Sequence, residues 1–220
     1  NIFLKNITPN YKKQSNYDIY KKMIANDSIN LLDFYSWFMN MKSSSDYPLF
    51  PKTGIHWSKY GEFLVADSII KYINSKNNQL LKSEIIINNI DYSTRILDTD
   101  DDIEKGMNLL FNIKDLKMGY PNFQFKKSDS LELKILTVAD SYYWGLFNAG
   151  LSKDVFNNGQ FWFYNQEIYP DSYQEILRVS DINLQSALES NDVIILLSTD
   201  ANLNKFAFGF IEQVYEIYFD

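Results

Sequence analysis

The chain has 220 residues, with 45% hydrophobic and 22% charged residues and 16 Phe, 16 Tyr and 4 Trp; this excludes a disordered, collagen-like or coiled-coil chain and suits one α/β domain of ordinary core size. Its 28 acidic against 21 basic residues give a net charge of −7, the wrong sign for a binder of phosphate backbones, so nucleic acid is not an expected partner. Without cysteine and with a single histidine, His56, the chain cannot form disulfides, use a thiolate or build a Cys- or all-His zinc site, so neither metal nor cofactor is expected and any imidazole chemistry runs through His56.

In chain order, Ser15 to Ala25 spaces Tyr17, Tyr20 and Ile24 for a helix, and Ile29 to Tyr35 (INLLDFY) reads as a short buried strand. The stretch from Met39 to Gly54 holds Ser43, Ser44, Ser45, Pro48 and Pro51, a loop that delivers His56 to a helix over Lys59–Ile73 capped by Ser58. Residues 82–130 break the pattern with strand-like pieces (Glu84–Ile90, Arg95–Leu97), the acidic run Asp98–Asp102 and a loop at Gly119 and Pro121. This segment is expected to be an insertion or crossover within a single domain spanning 1–220. Asp100, Asp101 and Asp102 read as a solvated helix N-terminus, where carboxylates suit the macrodipole.

The second half alternates regularly. Strands are expected at Leu131–Val138, Phe161–Tyr164 and Asp192–Leu197, and helices at Ser141–Ala149, Ser172–Leu177, Leu184–Leu188 and Phe208–Tyr218. Alternation predicts a three-layer α/β fold, a parallel sheet with helices on both faces. No apolar run approaches the ~20 residues of a membrane span. The chain opens at Asn1 without an initiator Met or a basic-then-apolar leader, which reads as a mature or excised segment of something longer.

Parallel sheets place their sites at the carboxyl ends of strands. There the sequence puts Asp140 and Ser141, then Asn202, and, after its loop, His56. Serine, histidine and an amide donor are the components of acyl transfer: nucleophile, general base and oxyanion donor. Each also has a structural reading, as helix cap, packed aromatic neighbour or turn former. A nucleotide binder of flavodoxin type is disfavoured, because no glycine-rich loop follows a strand.

The run Thr53-Gly54-Ile55-His56-Trp57-Ser58-Lys59-Tyr60-Gly61 resembles the last block of the SGNH/GDSL hydrolases. Ala139-Asp140-Ser141 resembles their G-D-S block, and the buried strand leading to Asn202 resembles their G-x-N-D block. Histidine precedes serine, the permuted order of the alginate O-acetylation proteins and related DHHW-type envelope proteins. The resemblance implies an SGNH-like serine esterase or O-acetyltransferase acting on acetylated carbohydrate in the periplasm or outside the cell. Ser141 would be nucleophile, His56 base, and Asn202 with the Ser141 N–H the oxyanion donors. Trp57, Tyr142 and Trp144 would stack on sugar, alongside Tyr143 and Trp162, whose structural alternative is core packing. The family's acid is missing: the positions two and three before His56 hold Gly54 and Thr53. The imidazole would then be oriented by a main-chain carbonyl or by a carboxylate from elsewhere, such as Asp33 or Asp46, and Gly159 and Asn165 border the strand that carries the family's oxyanion glycine. The absent acid equally fits a catalytically silent domain that binds a glycan or a partner protein. Oligomeric state is not legible.

Overall fold

The structure is a computed structural model that describes residues 14–26, 29–76, 83–108, 110–111, 113, 117–126 and 133–219. Seven α-helices are described: α1 (Asn16–Asn26), α2 (Phe34–Met41), α3 (Lys59–Lys76), α4 (Asp102–Met107), α5 (Tyr143–Asn148), α6 (Leu184–Glu189) and α7 (Phe210–Phe219). The strands are β1 (Glu84–Ser93), β2 (Met118–Lys126), β3 (Ile135–Ala139), β4 (Phe161–Phe163), β5 (Glu167–Tyr169) and β6 (Val193–Leu197).

The fold is α/β. Its main sheet runs β5-β4-β3-β6, with β3 parallel to β4 and β6, and β5 antiparallel at the edge. Alternation along β3 sends Ile135 and Ala139 to one face, where they join Val65, Ala66, Ile69 and Ile70 of α3 and Tyr143 and Leu146 of α5. Leu136 and Val138 go to the other face, with Trp162 of β4, Leu188 of α6 and Phe210 of α7. Helices therefore cover both faces, which is why β3 is buried along its whole length and apolar but for Thr137.

Several expected elements differ. Residues 29–35 form no strand: 29–33 are irregular and Phe34 starts α2, whose N-cap Asp33 accepts the Ser36 N–H. Phe34, Trp37, Phe38 and Met41 continue a helical stripe past the end of INLLDFY, and that period prevails over the short apolar run. Arg95–Leu97 is also irregular, and Ser172–Leu177 contains only the 3₁₀ turn Asp171–Tyr173. Gly119 and Pro121 lie inside β2, not in a loop. Strands β1 and β2 form an antiparallel ribbon that pairs Ile90 with Pro121; a two-stranded ribbon leaves an outer edge where a missing N–H costs no ladder bond. A Cβ on Gly119 would stand 2.5 Å from the Tyr47 ring, so glycine lets the ribbon lie close. Strand β3 begins at Ile135, and residues 131 and 132 of the expected strand lie outside the described residues.

The loop before α3 is locked at its end. Ser58 Oγ accepts the Gly61 N–H at 3.0 Å and donates to Pro48 O at 2.7 Å, a cap that also ties down the loop. A Cβ on Gly61 would lie 2.8 Å from Leu49 O, so only glycine lets the loop close over the helix. His56 is thereby held one turn ahead of α3.

Candidate active site

Ser141 sits in the turn that joins β3 to α5. Its Oγ lies 3.1 Å from His56 Nε2, and His56 Nδ1 lies 3.2 Å from Asp102 Oδ2. The three side chains form a continuous line of hydroxyl, imidazole and carboxylate from three separate parts of the chain. The carboxylate is that of Asp102, first residue of α4. Its other oxygen, Oδ1, accepts the Ile55 N–H at 3.0 Å, so the carboxylate is oriented by the residue next to the histidine it serves.

The 98–104 segment reaches the histidine because it is hydrogen-bonded to the loop. Thr53 O accepts the Ile103 N–H at 2.9 Å, and Thr53 Oγ1 donates to Asp100 O at 3.3 Å. A Cβ on Gly54 would stand 2.7 Å from Thr99 O, so Thr53-Gly54 is built for that close approach, not for carrying the acid. The reading of Asp100–Asp102 as a solvated helix start is corrected for two of them. Asp101 pairs with Lys105 at 2.7 Å as expected for a helix start, whereas Asp102 faces His56 and Asp100 is 1% exposed. Asp33 and Asp46 do not serve the ring: Asp33 caps α2 and pairs with Lys21 at 2.8 Å, and Asp46 is exposed.

Asp140, fully buried before the serine, organises the turn. Its Oδ1 accepts the Tyr142 N–H at 3.1 Å, and its Oδ2 accepts the Thr199 N–H, the Thr199 hydroxyl and Asn202 Nδ2 at 2.8, 2.9 and 2.9 Å. The carboxylate thus fastens the end of β3 to the end of β6. In the turn the N–H groups of Tyr143 and Trp144 bond to Asp140 O and Ser141 O. The Ser141 N–H has no protein acceptor among the described residues. Asn202 lines a cleft of about 450 Å³ with Tyr164, Gln166, Lys205, Phe208 and Gly209.

Other expected site residues serve elsewhere. Asn165 donates to Phe208 O at 3.3 Å and Gln213 Oε1 at 3.0 Å, anchoring α7. Gly159 precedes β4 at its amino end, where a Cβ would meet Ile135 O at 1.9 Å; it permits backbone packing at the edge of the sheet away from Ser141. Trp57 is 5% exposed, which removes it as a stacking platform. Trp144 packs against Phe161, Phe163 and Tyr169 with ring centroids 4.6 to 5.4 Å apart. Tyr143 and Trp162 are fully buried core residues. Of this aromatic set only Tyr142 adjoins the reactive groups, its ring centroid 4.9 Å from that of His56 and its hydroxyl donating to Ile55 O.

Beneath the site, burial raises the Glu62 carboxyl to about 7, opposed by the Lys59 ammonium 3.0 Å away. Because the folded-state value lies above the ordinary one, the unfolded chain ionises first as pH rises. The contribution of Glu62 is therefore fullest below about pH 4.5 and falls until pH passes about 7. The contribution is about 1–3 kcal/mol. In urea titrations across this range, Glu62→Gln is expected to flatten the decline and to raise stability at pH 8.

No family model matches the chain, and no curated protein matches it. Among described residues no helix is long and apolar enough to cross a membrane. Among solved structures the chain is similar to Pseudomonas aeruginosa AlgX, with a TM-score of 0.47 and 11% identity over 90% of this chain and 49% of that one, so it spans about half of AlgX. It is also similar to the O-acetyltransferase domain of Pseudomonas putida AlgJ, with a TM-score of 0.48 and 12% identity over 90% of this chain and 69% of that one.

Proposed function

We propose that the chain is an SGNH-like serine acyl-transfer enzyme whose substrate is an acetyl ester of envelope or extracellular carbohydrate, acting in the periplasm or outside the cell. The observation that carries the chemistry is the line Ser141–His56–Asp102, with contacts of 3.1 and 3.2 Å. The carbohydrate substrate and its location rest on the motif resemblance.

In the first half-reaction Ser141 Oγ bonds to the acetyl carbonyl carbon while its proton passes to His56 Nε2. The carbonyl oxygen becomes an oxyanion, received by the Ser141 N–H and by the Asn202 amide. One hydrogen of that planar amide is held by Asp140 Oδ2, and the oxyanion shares the other with Thr199 Oγ1, which stands 3.2 Å from Nδ2. Collapse breaks the ester C–O bond, and the imidazolium returns the proton to the departing sugar oxygen. In the second half-reaction His56 deprotonates an incoming hydroxyl, which attacks the acetyl-serine and frees Ser141. Water as acceptor yields acetate, and a sugar hydroxyl yields a new acetyl ester. Asp102 holds Nδ1–H and stabilises the imidazolium without itself taking the proton.

The Asp102 carboxylate at the ring supports this reading over a catalytically silent domain that binds a glycan or a partner protein.

The test is hydrolysis of p-nitrophenyl acetate. Ser141→Ala is expected to lower the enzyme-dependent rate to the small floor left by the oxyanion donors, and Asn202→Ala to lower kcat by roughly 10²-fold, the cost of an oxyanion donor. A rate indifferent to Ser141, together with binding of an acetylated polysaccharide unchanged by Ser141→Ala, would overturn the enzymatic reading.

A further inference from the structure

The contact between His56 and Asp102 has a parallel one turn along each partner. Lys59, three residues after His56 at the start of α3, reaches Asp98 at 3.0 Å, and Asp98 lies four residues before Asp102. Residues 56 and 59 on one side thus meet residues 102 and 98 on the other. The same two stretches are also joined by the Thr53 contacts to Asp100 O and the Ile103 N–H. Lys59 is braced from behind by Glu62 at 3.0 Å, whose side chain is 7% exposed. Lys59 itself is 22% exposed, so its ammonium is aimed by its surroundings rather than ranging through solvent.

The backbone at the far end needs such a hold. Asp98 has φ of +61°, the left-handed region that is unfavourable for a residue with a Cβ. It is here that the chain turns into the 3₁₀ segment Asp98–Asp101 and then α4. Lys105 Nζ adds a contact to Asp98 O at 3.2 Å. Asp102 comes from a segment outside the main sheet, so strand geometry does not fix its distance from the histidine, and some other contact must.

We propose that Lys59 is a positioning residue for the acid: by clasping Asp98 against the start of α3 it holds the 98–102 turn in the register that presents Asp102 to His56 Nδ1. The claim rests on the assignment of Asp102 as the acid of the proposed acyl-transfer site, and its test reads the histidine itself. Because His56 is the only histidine, every imidazole ¹⁵N signal of the protein belongs to it. A carboxylate at Nδ1 selects the Nδ1–H tautomer of the neutral ring.

The experiment compares wild type, Lys59→Gln, Lys59→Arg and Asp98→Asn by imidazole ¹⁵N NMR at a pH where the ring is neutral, with thermal melts and p-nitrophenyl acetate kinetics on the same samples. The wild type is expected to be Nδ1–H. Lys59→Gln should shift a large fraction to the Nε2–H form and lower kcat about 10-fold with KM within a factor of two. Lys59→Arg should restore both. Asp98→Asn cuts the same tie from its exposed end, with the Asp98 side chain 65% exposed, and carries the test if Lys59→Gln does not fold. Wild-type tautomer in Lys59→Gln or, failing that, in Asp98→Asn, whatever the melting temperature, would reduce the clasp to a structural contact and overturn the proposal. A shifted tautomer in a protein with no Ser141-dependent rate would uphold the positioning role while defeating the enzymatic reading.

Discussion

Asp102→Asn is expected to lower kcat on p-nitrophenyl acetate by about 10⁴-fold while leaving the fold intact. The magnitude follows from which oxygen the amide nitrogen replaces. The substituted side chain would keep its oxygen on the Ile55 N–H, the contact now made by Oδ1 at 3.0 Å, because that donor tolerates only an acceptor. Its NH₂ must then face His56 Nδ1, where Oδ2 stands now. An amide donor at Nδ1 forces the neutral ring into the Nε2–H tautomer, so the nitrogen 3.1 Å from Ser141 Oγ would carry a proton instead of accepting one. His56→Ala and Ser141→Ala should each fall to nearly the same floor as the double variant, because groups acting as a unit are not additive. The floor is set by the oxyanion donors, which none of these changes touches. Steady-state kinetics on the four proteins, with circular dichroism to check folding, measures this. An Asp102→Asn rate within 10-fold of wild type would mean that another group holds the ring.

How much of this was legible in the sequence follows from distance along the chain. Ser141 and His56 were found because each follows from local grammar: a serine directly after an apolar run, and a histidine between a turn-rich loop and a capped helix. Their partner was not, since Asp102 stands 46 residues from His56 and its neighbours describe a helix start, which it also is. The tertiary signal was indirect. A glycine at 54 makes room for the Thr99 and Asp100 carbonyls, and a lone histidine with no nearby carboxylate demands one from the remaining acidic run. The misplaced strand at residues 29–35 and the loop at 119–121 have a common cause. In both, the local signal of a short window, an apolar run in one and turn residues in the other, yields to what lies beyond it: the stripe continuing to Met41 and the pairing with β1. Strand β3, buried along its whole length, and the half-buried β6 were legible because each is a nearly unbroken apolar run beneath helices. The edge strand β5 was not, because Glu167-Ile168-Tyr169 buries only its middle residue.

Asp140→Ala is expected to be the most destabilising change at the site, by about 3–5 kcal/mol in urea denaturation, and to take activity with it. The carboxylate is fully buried and has no basic side chain against it among the described residues; it is satisfied by four donors, the Tyr142 and Thr199 N–H groups, the Thr199 hydroxyl and the Asn202 amide. Removing it leaves these donors around an apolar methyl group, each stripped of water without a new acceptor. The lost contacts also join β3 to β6 at the end where the nucleophile sits, so the damage falls on geometry as well as on stability. Without Oδ1 the Tyr142 N–H no longer pins the serine turn, and without Oδ2 the Asn202 amide is free to rotate away from the oxyanion. Asp140→Asn should be milder in stability, since the side chain keeps its shape and one acceptor oxygen. It must still lose rate, because its NH₂ would confront either Tyr142 N–H or the Thr199 and Asn202 donors. The discriminating measurement is kcat at a temperature where both variants are fully folded. A buried carboxylate acting only as a structural tie would leave folded Asp140→Asn at nearly the wild-type rate, whereas one that pre-aims both oxyanion donors predicts a loss of roughly 10²-fold.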